Sequence, residues 1–216
     1  MSVGIGLTVP QSGLICAIDP NNVKSWSGSG TVLRDITSNG YNVTVAGTGD
    51  FASYNGQNVL RVDGTTTVRS ISNLSLGLPY TVLSVDRYNG LGGNNRERTT
   101  TATTNWLMNH WSNQRYPYYA NGWVGTNYVT EATNNWEIGI VTGASGDYHC
   151  YYDNMDKTGN AAGGTTGPGT ITLGNMGSTT SEPSNCDFGL ILIWNRVLSA
   201  NEITSVYAAA RGRFGQ

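Results

Sequence analysis

Short apolar runs recur along the 216-residue chain, separated by stretches of Gly, Asn, Ser and Thr. LICAI at residues 14–18 is the first, and it predicts a strand. NVTVA (42–46) and VLRVD (59–63) alternate with period two, and Asp63-Gly64 then predicts a tight turn into a further strand over 66–70. YTVLSVDR (80–87) is rich in β-branched residues and predicts a strand as well. Residues 98–110 predict two strands or one long bent one. WEIGIV (136–141) and DYHCYYD (147–153) predict a hairpin joined by TGASG, and ITL (171–173) a short strand. Residues 19–40, the loop tip 89–95 and the glycine-rich 160–169 read as connections.

The last apolar run, FGLILIW at 188–194, has no polar face. Period two puts Phe188, Leu190, Leu192 and Trp194 on one side and Gly189, Ile191 and Ile193 on the other. A strand apolar on both faces must be covered on both, which predicts a central position. Asn195-Arg196 ends it. Ser199 is a candidate helix N-cap with Glu202 three residues on, the spacing of a capping box. Ile203, Val206 and Tyr207 then make an i, i+3, i+4 stripe, so a short amphipathic helix should lie over the sheet.

Composition agrees with this pattern. Charged residues make up 12% of the chain, against roughly 25% in ordinary soluble domains. There are 29 glycines, and the Glu, Lys and Ala that cover helical proteins are scarce. The formal net charge is −2 and no long basic run occurs, so the footprint of nucleic-acid binding is missing. No stretch approaches the roughly 18–20 apolar residues of a membrane span. The opening MSVGIGLTVPQSG lacks the basic and apolar regions of a secretion signal, so synthesis in a cytosol is expected. Cys16, Cys150 and Cys186 are an odd set in apolar or aromatic segments and are expected to be buried thiols. Residues 1–13 read as an N-terminal arm and 14–216 as a single domain without internal repeats.

FGLILIWNRVLSANEI resembles the closing segment of LamG-like (concanavalin A-like) jelly-roll domains. SGLICAIDPNNVKSW and GSGTVLRDITSNGYNVTV resemble the opening of such domains in bacteriophage virion proteins. VLRVDG is similar to the family's strand end, with Val62 in place of an aromatic residue. WEIGIVTGASGDYHCYYDN resembles its hairpin, with Asn154 where glycine is common. The resemblance runs over residues 12–208, while 88–135 matches little. It implies an all-β, two-sheet antiparallel jelly-roll sandwich with one short C-terminal helix. Lectins, glycosidases, adhesion modules and passive virion components share that fold, so function must be argued from sites.

Glycosidase chemistry needs two carboxylates across one cleft. Hydrolases of this fold carry them as E-x-D-x-x-E, and no such run occurs; Glu97, Glu131, Glu137, Glu182 and Glu202 are scattered. No enzymatic activity and no cofactor are expected. His110 and His149 are far apart, and His149-Cys150 would point to opposite faces of a strand, so zinc is not expected. Calcium through Asp153 and Asp156 is the remaining metal alternative, although Asp153-Asn154 also fits a hairpin turn.

Residues 105–128 concentrate Trp106, Trp111, Tyr116, Tyr118, Tyr119, Trp123 and Tyr128 among Asn, Gly and Arg115. Such rings fill a sandwich core, make a protein interface, or stack on sugar rings beside amide donors. Two functions are therefore carried forward. The first is a non-enzymatic bacteriophage virion protein made in the host cytoplasm. As a capsid decoration protein or a tail or fibre component, its partners would be a major capsid or tail protein or further copies of itself, with the arm docking on a neighbour. The second is a lectin-like module binding a cell-surface glycan. Neither involves nucleic acid or a membrane.

Overall fold

The computed structural model describes residues 8–45, 50–63, 69–89, 98–112, 114–125, 129, 134–175 and 182–215. In chain order the strands are β1 (Leu14–Ile18), β2 (Val32–Leu33), β3 (Val43–Thr44), β4 (Phe51–Tyr54), β5 (Gln57–Asp63), β6 (Arg69–Ser70), β7 (Tyr80–Tyr88) and β8 (Arg98–Ala102). They continue as β9 (Trp106–Trp111), β10 (Gln114–Ala120), β11 (Trp123–Gly125), β12 (Glu137–Ala144), β13 (Asp147–Tyr152), β14 (Met155–Asp156), β15 (Ile171–Leu173) and β16 (Asn185–Trp194), followed by helix α1 (Ala200–Phe214). Every strand pair is antiparallel.

Two sheets form the sandwich. The first has the order β14-β13-β12-β7-β16-β5-β4, with β1 also on β16. The second has the order β11-β10-β9-β8-β15-β6, and β2 pairs with β3 apart from both. One core lies between the sheets and includes Val82, Trp106, Met108, Tyr118, Val141, Tyr152, Ile171 and Phe188. The other lies between the first sheet and α1, where Leu83, Val85, Ile138 and Ile140 meet Ile203, Val206, Ala210 and Phe214.

β16 is central, as its two apolar faces require. β7 flanks it along one side; β5 and β1 share the other. Strict alternation fails at one point. The register shifts between Phe188 and Leu190, so Gly189 sits in a bulge and the faces exchange there. Phe188 therefore joins Ile191 and Ile193 between the sheets, while Leu190, Leu192 and Trp194 face the helix. Gly189 allows the close approach: a Cβ there would come within 2.3 Å of the Phe214 ring.

The capping box forms as its spacing predicts. Ser199 Oγ accepts from the Glu202 backbone N–H, and Glu202 Oε2 accepts from the Ser199 N–H at 2.9 Å. The helix runs for 15 residues and ends on Gly215 in the left-handed conformation. Arg213 then pairs with Asp19 at the end of β1, 2.6 Å from its Oδ2.

Several boundaries move. The 136–153 hairpin turns at Ser145-Gly146, because Thr142, Gly143 and Ala144 belong to β12. Residues 98–110 form two strands. The connection 19–40 contains the short β2. Residues 8–13 of the arm lie on this chain's own fold rather than standing free. Val9 is buried beside the helix-side core, and Trp194 Nε1 donates to Pro10 O at 2.8 Å. Residues 1–7, residues 64–68 of the predicted turn and following strand, and residues 90–95 of the loop tip lie outside the described residues.

Candidate functional site

β10 is the strand that organises the aromatic segment. Pro117 inside it sits at the register shift between Arg115 and Tyr118, and Tyr116 has φ 71°. A proline cannot donate to the ladder, so it is tolerated where the pairing is interrupted. Beyond the shift, alternation sends Tyr118 and Ala120 inward and Tyr119 outward.

The seven rings separate into two groups, with Tyr128 outside the described residues. Trp106, Tyr116 and Tyr118 are core residues. Trp106 Nε1 donates to Tyr80 Oη at 3.0 Å, the Tyr80 and Tyr118 hydroxyls bond each other, and Tyr118 Oη donates to Thr142 O at 3.1 Å. This ties both sheets together through satisfied polar tips.

Trp111, Tyr119 and Trp123 are half-exposed and belong to neither core. Each neighbours an inward residue: His110, Tyr118 and Val124 respectively. They therefore share the outer face of the second sheet. The Trp123 centroid is 5.3 Å from that of Trp111 at 49° and 5.0 Å from that of Tyr119 at 75°. Amides border the rings. Asn105 Nδ2 lies 3.5 Å from Tyr119 Oη, and Asn121 Nδ2 donates to Thr165 Oγ1 at 3.0 Å. Trp111 Nε1 is itself buried, with no hydrogen bond among the described residues, so only the ring's outer part faces solvent. Tilted apolar faces with amide donors at their edge can stack against CH groups while bonding hydroxyls.

Arg115 lies elsewhere. Its Nε donates to Glu137 Oε2 at 2.6 Å, and its Nη2 is 3.8 Å from Asp153 Oδ2. Tyr116 Oη donates to the same Asp153 oxygen at 2.7 Å. Behind Glu137 runs a buried polar chain that no sequence motif marks. Asp86 Oδ1 is 2.9 Å from His110 Nδ1, and its Oδ2 accepts from Ser84 Oγ, Thr100 Oγ1 and Asn109 Nδ2. A signal does exist in YTVLSVDR, where alternation puts Ser84 and Asp86 on the same face as Tyr80 and Val82. Burial raises the Glu137 carboxyl to about 7, against the opposing charges of His110 and Arg115.

The metal alternative meets local partners. Asp153 is held by Tyr116, and Asp156 Oδ1 accepts from the Thr158 N–H at 2.8 Å. Asp153 and Asn154 both have positive φ, as a tight hairpin turn requires. Among the described residues no three His, Cys, Asp or Glu side chains are grouped to hold a metal ion. Cys16, Cys150 and Cys186 are free and buried, and burial raises all three thiols. Among the described residues no helix is long and apolar enough to cross a membrane.

No family model matches this sequence, and no curated protein matches it either. Solved structures do match its fold. A Trypanosoma rangeli sialidase in complex with sialic acid superposes with TM-score 0.64 at 15% identity, over 99% of this chain and 35% of that one. This chain thus spans about a third of the sialidase. The binding domain of Paraclostridial Mosquitocidal Protein 1 gives 0.63 at 12%, over 90% of this chain and 52% of that one. Domain 4 of AbnA, a GH43 extracellular arabinanase from Geobacillus stearothermophilus in complex with arabinotriose, gives 0.63 at 14%, over 91% and 99%. At these identities the likeness is one of fold, shared with part of an enzyme and with binding domains.

Proposed function

We propose that this chain is a non-enzymatic module displayed on a bacteriophage particle, as a capsid decoration protein or a tail or fibre component, and that it holds a cell-surface glycan on Trp111, Tyr119 and Trp123. The observation that carries the binding reading is the grouping of three half-exposed rings on one outer sheet face. Three neighbouring strands that keep one large ring each outside both cores leave apolar surface for a ligand. The arabinotriose complex of a similarly folded domain supports this reading. The particle reading is supported by the resemblance of the opening and closing segments to LamG-like virion domains. Its partners there are a major capsid or tail protein or further copies of the chain.

The non-enzymatic reading is supported by how the carboxylates are used. Glu137 is buried against Arg115, Asp86 serves four side chains, and Glu202 caps the helix. No cofactor follows from this arrangement. Gold-labelled antibody against the chain should decorate intact particles. A glycan array probed with the folded protein should give saccharide signals. Particles free of label and an array free of signal would retire the two halves of the proposal separately.

A further inference from the structure

Arg115 stands between two carboxylates of unequal exposure. Glu137 is buried, and Asp153 sits half-exposed on the β13–β14 turn. The guanidinium is bonded to Glu137 through Nε at 2.6 Å, and its Nη2 is already 3.8 Å from Asp153. Only one Glu137 oxygen is engaged. Oε1 is buried and has no hydrogen bond among the described residues. A buried carboxylate with one bare oxygen is an expensive anion, and a proton on that oxygen relieves the cost.

We propose that Arg115 is a proton-controlled latch. With Glu137 ionised it ties β10 to β12, and when a proton adds to Glu137 Oε1 the guanidinium passes to Asp153. The proton comes from solvent, Glu137 goes from −1 to neutral, and Arg115 keeps its charge throughout. The receiving carboxylate lines a cleft of about 480 Å³ with Asn154 and with Thr204, Tyr207, Ala208, Arg211 and Gly212 of α1. The transfer therefore changes the charge on that cleft's wall and undoes the Arg115 tie between β10 and β12, leaving the Tyr118–Thr142 bond in place.

The charged and titratable groups around Glu137 bear on the direction. Asp86 of β7, His110 of β9, Arg115 and Tyr116 of β10, Tyr152 of β13, Asp153 of the turn and Tyr207 of α1 all face this region. Lys157 sits over the Tyr116 ring at 5.2 Å. Burial is the largest influence on Glu137 and favours the neutral form. The Asp153 charge adds to it, while His110 and Arg115 oppose it. The balance raises the Glu137 carboxyl to about 7.

Nuclear magnetic resonance tests the latch directly. The Glu137 carboxyl carbon and the Arg115 Nε–H signal are followed from pH 5 to 9, with circular dichroism confirming that the fold persists. Both signals should move with one midpoint near 7. In Glu137→Gln the Arg115 signal should stop responding over that range. In Asp153→Asn, which suits the positive φ there, the Glu137 midpoint should fall, because a like charge is gone. If Glu137→Gln misfolds, the wild-type and Asp153→Asn titrations still decide the matter. A Glu137 midpoint near the ordinary value of about 4.3 overturns the latch, as does an Arg115 signal that ignores Glu137.

Discussion

The rings of Trp111 and Trp123 stand 5.3 Å apart although their strands, β9 and β11, are not paired. They reach across β10, and Tyr119 of that strand meets Trp123 edge-on at 5.0 Å. The contact is made on the outer sheet face, away from both cores. Stability and binding should therefore separate. Trp106→Ala removes a fully buried ring and its bond to Tyr80, and should cost about 3–5 kcal/mol in urea unfolding. Trp111→Ala and Trp123→Ala should each cost clearly less in the same measurement, because their rings are only partly buried and lie outside both cores.

Two carboxyl groups should shape the pH dependence of stability in opposite directions. Glu137 has a folded-state value raised from 4.5 to about 7. Its contribution is full below 4.5 and is lost as pH rises through 7, at about 1.4 kcal/mol for each pH unit between those two values. Glu202 is lowered to about 2 by Arg196 and the Ser199 N–H, so its contribution is present above 4.5 and lost as pH falls toward 2. Urea midpoints should accordingly peak near pH 5 and decline on both sides. Glu137→Gln should flatten the alkaline limb and leave the acid limb alone.

The helix is the lid on the second core, so its start should be felt at a distance. Ser199→Ala removes the hydroxyl that accepts from the Glu202 N–H, and should lower unfolding free energy by about 1 kcal/mol. Protection of α1 amides in hydrogen exchange should fall more than that of β7 or β12. Equal loss across the whole molecule would mean that the cap acts on global stability alone.

Gly139 of β12 leaves room for Asn109, which reaches across from the other sheet into the buried polar chain. A Cβ there would lie 1.8 Å from Asn109 Oδ1 and 2.7 Å from the Tyr152 ring. Both neighbours are held, Asn109 by Asp86 and Tyr152 by its bond to Pro117 O. Gly139→Ala should thus destabilise by more than about 1–3 kcal/mol, the usual cost of overpacking, with the melting temperature as the readout. An unchanged melting temperature would show that Asn109 yields freely.

Much of the sandwich is legible in the sequence because local chemistry and tertiary need agree there. β1 and β15 fall on their predicted residues, and the capping box specifies its own helix start. β16 is readable as a central strand but not in its facing, because a single bulge at Gly189 reverses alternation without changing composition. β10 is hidden by Pro117 and by polar flanks; its pairing on β9 and β11 overrides a weak local preference. The aromatic segment is conspicuous in the sequence, but its division into core and surface rings is not. Which rings face water depends on the register of three strands, and register is set by partners far along the chain. Asp86 and Glu137 look like scattered acids because their partners come from other strands.

The most direct test is one glycan array, probed side by side with the wild-type protein and with Trp123→Ala at matched folded concentration. Saccharide signals should appear for the wild type and fall about tenfold or more when the central ring is removed. Equal signals from both proteins, or none from either, would contradict glycan binding on this face.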